Sequence, residues 1–112
     1  MLINLTDLSQ LEEIIQLKDD KLYLIFKHST RCSISTLAFD RIKRGLKQKE
    51  FASIPFFYLD LIQYRNISDA ISEKFQVEHQ SPQILAIRNG ICIYNESHIS
   101  ISPKNILPLL EN

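Results

Sequence analysis

Residues 22–27, LYLIFK, form a nearly unbroken apolar run. A strand with one face in water alternates apolar and polar residues, so a run without that alternation belongs to a strand covered on both faces, as in a sheet sandwiched by helices. The chain must then supply helices for two faces. It has 112 residues, of which 45% are hydrophobic, enough for one core, and no linker, repeat or low-complexity tract divides it. A single domain over residues 1–112 is expected.

The flanking segments fit that demand. LINL, residues 2–5, reads as a short strand, and Leu8, Leu11, Ile14 and Ile15 line one side of a helix that Thr6 or Ser9 would cap, Ser9 forming an S-x-x-E box with Glu12. After the first long strand, Ile34, Leu37, Ala38, Ile42 and Leu46 fall at helical spacing, with Arg41, Lys43, Arg44 and Lys47 opposite as a solvated face. IPFFYLDL, 54–61, is a second buried strand with Pro55 near its start. Ile67, Ile71 and Phe75 then mark a third helix, behind Asn66 or Ser68 as cap. QILAI and ICIYN flank the turn RNG, where Asn89-Gly90 accepts the positive φ of a type I′ hairpin. Ser102-Pro103 would open a last helix that Pro108 shortens or kinks. The expected order, β-α-β-α-β-α-β-β-α, describes an α/β domain with a central mixed β-sheet flanked by helices on both faces.

Composition removes several function classes. Thirteen basic and thirteen acidic residues leave a formal net charge of zero, unlike the basic excess of a nucleic-acid binder. No apolar run approaches the roughly 18 residues of a membrane span, and the N-terminus has no signal-peptide pattern. Cys32 and Cys92, the two cysteines, lie far apart and outside any C-x-x-C or zinc spacing, so neither a disulfide framework nor a metal site is expected. A cytoplasmic location follows, where thiols stay reduced.

Cys32 stands where the buried strand gives way to a helix, in YLIFKHSTRCSIST. A free thiol with pKa about 8.5 is only about 3% thiolate at pH 7, and the thiolate is the nucleophile. Unpaired amides of Ile34 and Ser35 at the helix start, the helix dipole and the cations Arg31, Lys27 and His28 should favour the anion. A buried, inert cysteine is a poor fit to the polar setting HSTRCS. Cys92, between Ile91 and Ile93 in a strand, reads instead as a sheet residue. His28 is equally an ordinary strand-end histidine, and a metal held by His28, Cys32 and His79 lacks the usual ligand spacing.

The element order, the cysteine after the long strand and SP before the hairpin together resemble the thioredoxin fold over essentially the whole chain. More particularly, KHSTRCSIS and HQSPQIL resemble the signatures of the YtxJ family of monothiol bacilliredoxin-like proteins. Ser33 departs from that family's usual proline, which removes rigidity at the first helical position and adds a backbone donor near the sulfur. The resemblance implies a cis bond at Ser81-Pro82, beside Cys32, with the Ser81 backbone turned toward substrate. It also puts Ser35 in the place of a second, resolving cysteine, where its hydroxyl could donate to the Cys32 thiolate but could not attack a disulfide.

The implied activity is thiol-disulfide exchange in which Cys32 takes a small thiol, bacillithiol, from a modified protein. The catalytic set is then Cys32, Ser35, Arg31, His28 and Lys27, with Thr30, Ser33, Ser81 and Pro82 contacting substrate. No tightly bound cofactor is implied, bacillithiol being a co-substrate. The partners are S-thiolated client proteins and the low-molecular-weight thiol, with no nucleic acid and no membrane, and the chain is expected to be a monomer. A binding module that carries an iron-sulfur cluster is the alternative; CSIS lacks the CGFS of cluster-binding monothiol glutaredoxins. A purely structural domain leaves the placement of Cys32 unexplained.

Overall fold

The structure, a computed structural model, describes residues 2–110. Its elements are β1 (Leu2–Asn4), α1 (Leu8–Gln16), β2 (Leu22–His28), α2 (Ser33–Gly45), β3 (Phe56–Asp60), α3 (Arg65–Phe75), β4 (Gln83–Arg88) and β5 (Ile91–Ser97). The strands make one sheet in the order β1-β3-β2-β4-β5. β3 is parallel to β1 and β2, while β4 is antiparallel to β2 and β5, so the sheet is mixed with β2 at its centre.

Every residue of β2 is buried, as its apolar run predicts. Alternation divides its side chains between two layers. Tyr23 and Ile25, with Phe57, Leu59, Leu85 and Ile87, pack on Leu11 and Ile14 of α1 and Ile67, Ile71 and Phe75 of α3. Leu22, Leu24 and Phe26, with Phe56, Ile84 and Ala86, pack on Ala38 and Ile42 of α2 and on Ile101 and Ile106 beyond the hairpin. Among the described residues no helix is long and apolar enough to cross a membrane.

The hairpin turns on Asn89 and Gly90, both at positive φ, with Arg88 opposite Ile91. The register shifts between Ala86 and Ile87, which pair with Tyr94 and Cys92, so Ile93 is the extra residue of a bulge.

Several local expectations are corrected. Asp7 caps α1, accepting from the Ser9 amide, and Gln10 closes the box, because the chain leaves β1 too early for Ser9 to lie outside the helix. Tyr64 precedes α3, which begins before Asn66 and Ser68. The buried stripe of α2 is Ser35, Ala38, Ile42 and Gly45, leaving Ile34 42% and Leu37 64% exposed. Its cationic side is partly used: Arg41 donates to the carbonyls of Ile99 and Ile101, each at 2.9 Å, and so fastens the segment after the hairpin. The last helix is replaced by 3₁₀ turns at Pro103–Asn105 and Leu107–Leu110, since Pro108 has no amide to continue an α-helix and its ring blocks the carbonyl four residues back.

Gly45 ends α2 where Pro103 crosses it so closely that a Cβ would overlap the proline ring. Gly45→Ala gains about 1 kcal/mol of helix propensity, whereas overpacking costs typically about 1–3 kcal/mol. The ring is rigid, so the second effect should win. The urea midpoint is expected to fall at constant m; a midpoint that held or rose would show that the closing segment shifts freely.

Candidate active site

β2 ends in two polar residues, and alternation sends them to opposite faces. His28 continues the row of Phe26 toward α2, and Lys27 the row of Ile25 toward α3. The loop Ser29–Arg31 then delivers Cys32 to the N-cap of α2, with φ −119° and ψ 120°. The Cys32 amide donates to Ser29 O at 3.2 Å, and its carbonyl accepts from the Thr36 amide at 3.1 Å. Cys32 is half-buried, and Thr30, Arg31 and Ser33 beside it are exposed. No side chain caps α2, so its first amides are left to whatever anion sits at the helix start.

Ser35 is fully buried, and its hydroxyl accepts from the Ser29 amide at 3.0 Å and bonds His28 Nδ1 at 2.7 Å. The hydroxyl therefore ties the loop to the helix and does not serve the sulfur, which corrects its expected role. His28 is 5% exposed and stacked among Phe26, Phe39 and Tyr58, with ring centroids 5.3–6.1 Å apart. Burial pushes its pKa down, with the Asp60 and Asp40 carboxylates opposing. With its pKa lowered, the ring is uncharged at neutral pH and hydrogen-bonded through Nδ1 to the Ser35 hydroxyl, so the positive charge expected of it is missing and Arg31 is the exposed cation next to Cys32 in the chain.

Lys27 departs further from expectation. It is completely buried, and its ammonium reaches His79 Nδ1 at 2.6 Å and Gln83 Oε1 at 3.1 Å, on the face turned away from α2. Burial lowers its pKa to about 8; the Asp69 carboxylate opposes that fall and Arg65 adds to it. Gln83 in turn donates to Glu78 O at 3.1 Å. The Ser81-Pro82 peptide is cis, Pro82 is buried, and the Ser81 hydroxyl is buried without a partner. On the far side of this loop the His98 amide donates to Pro82 O at 3.0 Å, and its ring bonds Gln80 Oε1 at 3.1 Å.

His79 and Gln83 were not legible as partners of Lys27, because they stand 52 and 56 residues away. The one available signal was a lysine in an otherwise apolar strand, which must find acceptors if buried. His28 and His79 lie on opposite faces, so the possible metal set with Cys32 is not assembled. Among the described residues no three His, Cys, Asp or Glu side chains form a group that could hold a metal ion.

Cys92 is half-buried on the α1/α3 layer, and its thiol donates to Tyr94 O at 3.3 Å; burial pushes its pKa up. It pairs with Ile87, which pairs with Tyr23 at the start of β2, whereas Cys32 follows the end of β2. Five strand residues separate those ends, roughly 16 Å. A disulfide needs the Cα atoms within about 7 Å, so the two thiols cannot join in this fold.

The buried neutral histidines make stability pH-dependent. The pKa values of His28 and His79 are lowered in the folded protein, so below their ordinary value near 6.5 the unfolded chain binds protons that the native chain does not. Stability should be full above about pH 6.5 and fall as pH drops through the window beneath it. His28→Phe keeps the stack but strips Ser35 of its partner, costing about 1–2 kcal/mol at pH 7.5 and reducing the slope. Chemical denaturation at pH 5.5, 6.5 and 7.5 checks both; a slope equal to wild type would mean that His28 titrates normally.

Comparison with known proteins agrees with this geometry. Residues 3–106 match the family described as Monothiol bacilliredoxin BrxC. A solved structure assigned as a candidate oxidoreductase with a thioredoxin fold shares 32% identity at a TM-score of 0.83, covering 99% of this chain and 94% of that one. Trxlp of Edwardsiella tarda EIB202 (13% identity, TM-score 0.72, 100% of both chains) shares the fold. So does the thioredoxin of Malassezia sympodialis (13%, 0.74, 96% of this chain and 85% of that one). With the thioredoxin fold and a lone cysteine opening α2, the chain belongs to the monothiol bacilliredoxin BrxC family, whose role is of the thiol oxidoreductase kind.

Proposed function

We propose that this protein removes bacillithiol from S-thiolated client proteins in the cytoplasm, acting as a monomer through Cys32. The observation that carries this reading is a half-exposed thiol at an uncapped helix start with no second thiol within bridging reach. The Cys32 thiolate attacks the bacillithiol sulfur of a protein-S-S-bacillithiol bond. The client leaves as a thiolate and takes up a proton, and the S–S bond now joins Cys32 to bacillithiol, so one disulfide breaks as one forms. A second bacillithiol thiolate attacks that bond, releasing oxidised bacillithiol and restoring Cys32.

Cys32 carries negative charge as the attacking thiolate and again as the group released on regeneration, at a helix start whose first amides no side chain caps. Thr30 and Ser33, exposed on either side of Cys32 in the chain, would contact the hydroxyl-rich small thiol. Ser81 and Pro82 offer extended backbone to the client. Ser35 and His28 hold the loop that presents Cys32 and do not exchange protons with it.

Intact-mass analysis after exposure to oxidised bacillithiol should show one bacillithiol adduct per chain. Cys32→Ser should abolish it and Cys92→Ser should retain it; oxidised glutathione, run in parallel, should label far more slowly. A loss of two hydrogens with peptides joined through Cys32 and Cys92 would overturn the monothiol mechanism. Equal labelling by both disulfides would remove bacillithiol as the preferred thiol.

A further inference from the structure

A lysine buried to completion at the end of the central strand has no part in the exchange chemistry just described. Its partners say what it holds. The ammonium donates to His79 Nδ1 and Gln83 Oε1, and Gln83 reaches on to the carbonyl of Glu78. His79 and Glu78 belong to the loop that ends at the cis Ser81-Pro82 bond, and Gln83 is the first residue of β4. The other flank of the loop is fixed through Gln80 and Pro82 to His98. Lys27 is thus the core-side anchor of the segment 78–82. We infer that Lys27 and His79 are positioning residues that set where this loop presents its backbone to an extended client segment, and so govern client affinity. The inference rests on the oxidoreductase reading above.

The environment fits an anchor. A buried cation without acceptors is strongly disfavoured, so Lys27 holds its acceptors in place more firmly than a neutral donor would. Nδ1 can accept only while the His79 ring is neutral. Burial and the charges of Lys27 and Arg65 keep it so, against the Asp69 carboxylate, and Ser68 Oγ lies 3.5 Å from the same nitrogen. Those four groups, with Gln83, are what β2, α3 and β4 turn toward the ring. A protonated His79 would face the ammonium with a second donor and break the anchor. The loop should loosen in acid.

The test uses full-length protein, two substrates and three variants. The substrates are a bacillithiolated ten-residue peptide with one cysteine and the small mixed disulfide of bacillithiol with thionitrobenzoate. The variants are Lys27→Met, which keeps the volume in the core, His79→Ala, and His79→Asn, whose Oδ1 can still accept from Lys27. Losing a buried charged hydrogen bond should raise the peptide's KM relative to that of the small disulfide by about tenfold in Lys27→Met and His79→Ala, with kcat for the peptide within about twofold. His79→Asn should restore the ratio. Wild-type peptide KM should rise as pH falls through the titration of His79, and His79→Asn should flatten that rise.

A loss equal for both substrates would mean that Lys27 acts at the sulfur; a wild-type ratio in His79→Ala, or no rescue by Asn, would also overturn the inference. Wild-type protein inert toward both disulfides would instead sink the oxidoreductase reading. Amide exchange then judges the anchor alone: faster exchange at residues 78–81 in Lys27→Met and His79→Ala, with residues 29–32 unchanged, supports it, and unaltered exchange refutes it.

Discussion

The alternation of β2 continues past the point where its apolar residues stop, and the arrangement around Cys32 depends on that. A strand packed by helices on both sides cannot slip by one residue without exchanging its two rows of side chains, so that neither row meets the layer that receives it. Lys27 and His28 are therefore held on opposite faces and buried with the rest of the strand. Each then needs a polar partner. His28 finds Ser35, which binds the thiol-bearing loop to α2, and Lys27 finds His79 and Gln83, which bind the loop before β4. One strand end is thus tied both to the Cys32 loop and to the loop before β4, through two buried side chains.

The layout of strands and helices was readable because it is written in local patterns: the apolar run at 22–27, the Asn-Gly turn, the spacing of Ile67, Ile71 and Phe75. The position of Cys32 at a helix start was equally plain. What stayed hidden was the direction of individual side chains. Lys27 and His28 read as cations near the thiol because they are near it in sequence, yet one polar residue of a buried strand faces each layer. The α2 stripe was misjudged for a related reason. Ile34 and Leu37 are apolar and correctly spaced, but the small residues Ser35, Ala38 and Gly45 are what allow the helix close to the sheet and the Pro103 segment. Hydrophobicity alone does not reveal close approach.

The bulge at Ile93 separates the second cysteine from the first. By shifting the pairing of β5 by one residue, it lets Tyr94 join the α2 layer while Cys92, two residues away, joins the opposite one. Cys92 is thereby distant from Cys32 along the strands and also across the sheet. A single-thiol site follows from topology and register, as well as from the small number of cysteines.

Ser35 occupies the place that a second thiol would take in a two-cysteine relative. Its oxygen is enclosed and engaged by a loop amide and a ring nitrogen at once. Sulfur is larger and a weaker acceptor, so cysteine at 35 would leave the Ser29 amide and His28 poorly paired, at a cost of about 1–3 kcal/mol for a buried donor. One nucleotide change separates many serine codons from cysteine, yet that step here would weaken the seat of the first cysteine while adding the second.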